Sequence, residues 1–328
     1  MFKKDSGLLI SAFFCYIEQV KIFAVFLLSA CLIACSQGNN PIDPNPNATD
    51  TLNGWQKYVF ADSMHITDVH FTSPSTGFLI GGSKGLFRSI DSGNTWQQMY
   101  PLDTIAPGLV TMNWLNEQYG FACGSNSFGK TTDGGITWDF KYSPHGHDVS
   151  FTSPSTGFLT NPGVFYKTAD TGNTWQVIKY ASSYALHFLD NQRGWHTTIG
   201  PGAGLYSTTN GGSTWTQMYA TGTDNIWEIQ FLNANTGWMA CDEGVFKTQD
   251  GGSSWQKTAT QGAADIQFIN NQKGYFTSGK RIYKTIDGGI TWNVDAYVNS
   301  HPLLRLHFVD ENHGWAIGPY GILLRWKQ

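Results

Sequence analysis

The stretch Thr131-Thr-Asp-Gly-Gly-Ile-Thr-Trp138 sets a carboxylate beside two glycines and several hydroxyls. Such a group can be read as a calcium loop, a phosphate cradle, half of a catalytic pair, or a turn. Repetition decides. The same pattern returns at Ser89–Trp96, Thr168–Trp175, Thr208–Trp215, Thr248–Trp255 and Thr285–Trp292, and its acidic position falls on Asp91, Asp133, Asp170, Asn210, Asp250 and Asp287. Successive spacings are 42, 37, 40, 40 and 37 residues. A fold has no use for six copies of one catalytic carboxylate, whereas a turn can recur in every repeat. The aspartate accepts hydrogen bonds from backbone N–H groups just after it, and the glycine two places on takes a positive φ that other residues resist. The tryptophan then packs inward.

Each repeat has four beats. A β run ends in an aromatic, as in Asp68-Val-His-Phe71 or Asp265-Ile-Gln-Phe268. A polar turn follows and leads to glycine plus an aromatic, as in Asn235-Thr-Gly-Trp238. An alternating segment then runs up to the motif, and a last strand starts at its tryptophan. Four short strands every 37–42 residues predict an all-β fold, a β-propeller of four-stranded blades. Six motifs are visible. A seventh unit opens at Arg305-Leu-His-Phe308 and stops at Gly321-Ile-Leu-Leu-Arg-Trp-Lys-Gln328 without its outer strand. That strand is supplied by residues 53–60, where Trp55-Gln-Lys matches the tryptophan-led fourth beat. The expectation is a seven-bladed propeller over residues 54–328, its ring closed by the N-terminal strand completing the last blade.

The motif resembles the Asp-box, or BNR repeat, of sialidases, sortilin ectodomains and some xyloglucanases. The fuller pattern is most similar to the photosystem II assembly and stability factor family, over essentially the whole chain after residue 53. That resemblance implies a scaffold role, with docking supported by an arginine-rich patch. Only Arg305 stands at the corresponding mouth here, which argues against a photosystem client. Resemblance to sialidases would imply three converging arginines. The candidates are Arg88, Arg193, Arg281, Arg305 and Arg325; three fall on third strands and Arg193 on the opposite face.

Composition agrees with short strands and tight turns: 13% charged residues, 15% aromatic residues and 37 glycines. A formal charge of −4 gives no general basic surface, so nucleic acid is not an expected partner. Residues 1–34 read as a lipoprotein signal peptide, with translation beginning near Val20. Leu32-Ile-Ala-Cys35 resembles a lipobox, which implies lipidation of Cys35. Residues 35–53, rich in Asn, Pro and Asp, read as a tether. Cys123 and Cys241 each sit in an apolar run and are expected to be buried free thiols.

In such a ring the first strand of each blade lines the channel, and its start faces the functional mouth. The residues there are Asp68, Thr111, Asp148, Ala185, Glu228, Asp265 and Arg305. They read either as an acidic collar for a cationic or hydroxyl-rich ligand, or as a solvated rim. Asp68, Asp148, Glu228 and Asp265 also leave a paired-carboxylate glycosidase open. Two positions on, His70, Asn113, Ser150, His187, Gln230, Gln267 and His307 form a polar ring expected to bond neighbouring blades. His145, His147 and Asp148 hold a His-x-His-Asp pattern, for which a metal is the less favoured reading. Trp227, with Tyr100, Tyr142, Tyr184, Tyr219 and Tyr320, supplies aromatics near the mouth. No phosphate loop, nucleophile elbow or dinucleotide fingerprint is present, so no cofactor and no metal are expected. The sequence thus predicts a non-catalytic, lipid-anchored propeller that binds or assembles envelope proteins, at the outer membrane or cell surface. The alternative is a glycan-binding or glycan-cleaving lipoprotein.

Overall fold

The computed structural model describes residues 50–60, 64–81, 85–100, 108–161, 163–181, 183–199, 203–222 and 224–327. The segment read as a signal peptide, Cys35 and most of the segment read as a tether lie outside them. Among the described residues, twenty-eight strands form seven four-stranded antiparallel sheets, a seven-bladed β-propeller. Blades 1 to 6 follow chain order, spanning residues 68–100, 109–142, 148–179, 183–222, 226–259 and 265–297. Blade 7 joins the last three strands, between Arg305 and Lys327, to the first strand of the chain, β1 (Trp55–Val59). Trp55 opposes Trp326 and Val59 opposes Ile322, so the N-terminal strand closes the ring.

The repeated turn has one geometry. Asp133 Oδ1 accepts the Thr137 N–H at 2.9 Å and the Thr131 hydroxyl at 2.8 Å, while Oδ2 accepts the Thr137 hydroxyl at 2.6 Å. Thr131 Oγ1 in turn accepts the Gly135 N–H at 2.9 Å. The φ of Gly135 is 76°, as the sequence requires. The preceding position is also left-handed, which explains the paired glycines; Ser92 and Thr171 occupy it at 64° and 65°. Hydrogen bonds from Thr174, Ser254 and Thr291 hold Asp170, Asp250 and Asp287 down at about 2. Asn210 repeats the arrangement, taking the Thr214 N–H on Oδ1 and donating Nδ2 to the Thr214 hydroxyl. With the carboxylate oxygens committed inside the turn, chelator treatment is expected to leave the melting temperature unchanged. Asn210→Asp should shift stability by no more than about 0.5 kcal/mol in urea denaturation.

The aromatic at the end of each first strand stacks on the aromatic that opens the second strand of the blade before it. The pairs are Phe78–Trp114, Phe121–Phe151, Phe158–Phe188, Trp195–Phe231, Trp238–Phe268, Tyr275–Phe308 and Trp315–Phe71, one at each of the seven interfaces. The motif tryptophan meets the first-strand aromatic of its own blade edge-on, as Trp292 meets Phe268 at 5.7 Å and 84°. Trp55 does the same to Phe308 at 5.8 Å and 84°, so it takes the motif tryptophan's place in blade 7. Cys123 and Cys241 are buried free thiols.

Candidate functional site

The first-strand starts of the seven blades converge on the channel mouth, and most of their polar groups work between blades. Asp68 Oδ1 accepts the N–H of Val69, while Oδ2 crosses to blade 2 and accepts the Met112 N–H at 2.7 Å and the Thr111 hydroxyl. Asp148 holds the N–H groups of Val149 and, in blade 4, Leu186 at 2.9 Å. Asp265 holds those of Ile266 and, in blade 7, Leu306 at 2.6 Å.

The polar ring two positions deeper joins the remaining interfaces and adds a second link between blades 6 and 7. Asn113 accepts from Phe151 N, Gln230 pairs with both backbone groups of Phe268, and Gln267 does the same with Phe308. His187 bonds the Phe231 carbonyl and His307 the Phe71 carbonyl. Each interface of the ring therefore carries at least one first-strand side chain bonded to the next blade's backbone. Ser150 is too short to reach across, and there Asp148 makes the link. His70 lies against His307 with ring centroids 4.1 Å apart, and there Asp68 makes it. Burial keeps His187 and His307 neutral, holding them down at about 4.

Glu228 and Arg305 stand apart from this pattern. Arg305 Nη1 donates to Glu228 Oε2 at 2.7 Å, joining blades 7 and 5 across the mouth. Their side chains retain 31% and 20% exposure, so the pair faces channel solvent. Burial pushes Asp68 and Asp148 up to about 6, against the pull of Arg305 and of backbone N–H donors. Burial also raises Asp265, and lifts Glu228 to about 8 despite Arg305, with the carboxylates of Asp265 and Asp148 adding to the rise. Asp148, Glu228 and Asp265 titrate as a set beside the Arg305 guanidinium.

A carboxyl whose folded value lies above its unfolded one adds stability at low pH and loses it as pH rises through the folded value. Buried histidines held below 6.5 have no opposing effect above that pH. Stability is therefore expected to fall between pH 6.5 and 8.5. Glu228→Gln should reduce that slope in melting temperatures measured across the window.

The loops around the mouth are aromatic. Trp227 Nε1 donates to Asp242 at 2.6 Å, and its ring meets Tyr184 edge-on at 5.2 Å. The His147 ring lies 4.2 Å from Tyr184, and burial holds it down at about 4. His145 precedes it on the same loop, and burial lowers it too. Among the described residues, no group of three or more His, Cys, Asp or Glu is placed to hold a metal. Among the described residues, Tyr142 at 87% exposure, Tyr180 at 80% and Tyr320 at 56% point to solvent on the mouth face. Tyr180 had no signal in the sequence beyond its place just after a fourth strand. The side chain of Tyr100 lies outside the described residues. Tyr219 belongs to the packing of blade 4 against Phe246.

Fold and site together define a closed seven-bladed propeller whose channel wall is tied blade to blade and whose mouth carries the Arg305–Glu228 pair and exposed tyrosines. The family described as photosynthesis system II assembly factor YCF48 matches residues 42–129 and 256–327, just under half of the chain. The chain thus shares its repeat with the photosystem II assembly factor family, the likeness its motifs carry. No curated protein matches it. A structure of YCF48 bound to D1 peptide superposes with a TM-score of 0.71 at 20% identity, covering 85% of this chain and 99% of that one. YCF48 from Cyanidioschyzon merolae gives 0.70 at 18% identity, covering 84% and 99%. The GH74 xyloglucanase from Xanthomonas campestris gives 0.65 at 11% identity, covering 83% of this chain and 54% of that one, about half its length. At these identities the likeness to solved structures is one of fold.

Proposed function

We propose that the protein is a non-catalytic scaffold that docks another protein on the channel-mouth face. The observation that carries this reading is the engagement of the mouth carboxylates. Asp68, Asp148 and Asp265 each hold backbone N–H groups of two blades, and Glu228 is paired with Arg305. Glycoside hydrolysis takes two carboxyls facing one scissile bond, and three of the four here are committed to backbone N–H groups of two blades. What the mouth offers outward is tyrosine, a residue enriched where proteins bind one another. The YCF48 structure holding a D1 peptide supports the view that this architecture suits peptide recognition. The Leu32-Ile-Ala-Cys35 sequence supports attachment to the cell envelope through lipid on Cys35, and the intact mass of the membrane-extracted protein tests that attachment.

The docking reading is tested by cross-linked co-purification from the native envelope, comparing wild type with Tyr142→Ser, Tyr180→Ser and Tyr320→Ser combined. One protein enriched with wild type and lost with the variant is the expected result. Equal retention by both would contradict it. So would a glycan that raises the melting temperature of both, which favours the fold's kinship with xyloglucanases.

A further inference from the structure

On the face opposite the mouth, one residue breaks the repeat. The third-strand residue opposite the second-strand aromatic is Arg88, Lys130, Lys167, Lys247, Lys284 or Arg325 in six blades, and Ser207 in blade 4. In blades 3 and 5 the task of this cation is explicit. Lys167 Nζ lies over the Phe158 ring at 5.2 Å and donates at 2.8 Å to the Gly211 carbonyl in the next blade's motif. Lys247 lies over Trp238 at 5.4 Å and donates at 2.8 Å to the Gly288 carbonyl. At the interface of blades 4 and 5 the corresponding aromatic is Trp195 and the corresponding carbonyl belongs to Gly251, with Ser207 too short to span them.

A cleft of about 740 Å³ opens where the lysine would lie, lined by Trp195, Ser207, Met218, Ala234 and Gly251 among others. Among the described residues no hydrogen bond reaches the Gly251 carbonyl. Among the same residues the buried indole N–H of Trp195 has no acceptor, as is also true of Trp238 in the cradle that Lys247 fills, so the two indoles are alike and the cation is what differs. Asp190 and Arg193 stand at the exposed rim and offset each other's charge.

We infer that this cleft binds a primary ammonium on an alkyl chain, presented as the lysine side chain of a partner protein. The aromatic face of Trp195 and the Gly251 carbonyl form the same cradle that holds Lys167 and Lys247 within the chain. A cation over an aromatic face, completed by a carbonyl acceptor, is a favourable setting for an ammonium group. The cleft lies on the face away from the mouth, so the inference stands apart from docking there, and a small probe tests it without any partner.

The Trp195 indole N–H resonance of the full chain, assigned with Trp195→Phe, is followed while n-butylammonium is added. A saturable shift is expected with n-butylammonium and not with n-butanol. It should be absent in Ser207→Lys, whose own side chain fills the cleft and raises the melting temperature by about 2–4 °C. Lys167→Ser, which recreates the vacancy between blades 3 and 4, should lower the melting temperature, and n-butylammonium should restore part of the loss. A capped Gly-Lys-Gly peptide should bind at least as tightly as n-butylammonium, and its norleucine counterpart should not bind. No saturable response to n-butylammonium, an equal response to n-butanol, or full binding retained in Ser207→Lys would overturn the ammonium site. Exclusion of the lysine peptide with n-butylammonium still bound would overturn a protein as the source.

Discussion

Trp55→Ala is expected to destabilise the propeller by about 3–5 kcal/mol in urea denaturation, the range for deleting a large buried aromatic side chain. Trp55 is only 3% exposed. Its ring meets Phe308 edge-on at 5.8 Å, Tyr275 at 6.5 Å and Trp326 at 5.7 Å, and its indole N–H donates to Asp295 at 2.8 Å. These contacts tie the first strand of the chain to blades 6 and 7, which makes Trp55 the clasp of the ring. The residues before it add to the same attachment: Thr51 exchanges backbone hydrogen bonds with Tyr297, and Asp50 accepts from Asn299 N. Trp55→Phe keeps much of the edge-on packing and loses the bond to Asp295, so a loss of less than half as much is expected. Equal losses from the two substitutions would show that the ring packing contributes little.

Asp265→Ala is expected to cost about 2–6 kcal/mol. The carboxylate is 5% exposed and holds the Ile266 and Leu306 N–H groups. Alanine leaves both donors unsatisfied in a buried site, at about 1–3 kcal/mol each. Asparagine replaces one acceptor oxygen with an NH₂ group, so Asp265→Asn should recover part of the loss. If Asp265 were instead a ligand or catalytic group, its alanine variant would keep its stability and lose only function. Equilibrium unfolding with the three proteins separates these outcomes.

The repeat made the architecture readable. Aspartate, glycine and tryptophan at fixed offsets specify a turn that any copy of the sequence must form, and the unmatched Trp55-Gln-Lys named the strand that closes the ring. Pairing across blades was harder to read. The sequence showed an aromatic at the end of each first strand and another opening each second strand, but their stacking depends on how neighbouring sheets face each other. The polar ring from His70 to His307 was legible as an inter-blade network because it repeats. The charged positions above it do not repeat fully, and so they resembled a ligand collar. Their alternation with the deeper ring becomes clear only when the two layers are seen together: Asp68 and Asp148 serve the interfaces that His70 and Ser150 do not. The missing cation at Ser207 was present in the sequence, yet its consequence depends on where Lys167 and Lys247 place their ammonium groups.

The most direct test of mouth-face docking is site-specific photo-cross-linking in the native envelope. p-Benzoylphenylalanine would replace Tyr142, Tyr180 or Tyr320 on the mouth face. On the opposite face, at the motif turns of blades 1 and 2, it would replace Ile90 or Ile136, which are 67% and 57% exposed. Mouth-face positions are expected to capture one common protein, and the two isoleucine positions are expected to capture none. Capture of that protein from Ile90 or Ile136, with the tyrosine positions silent, would contradict docking at the mouth.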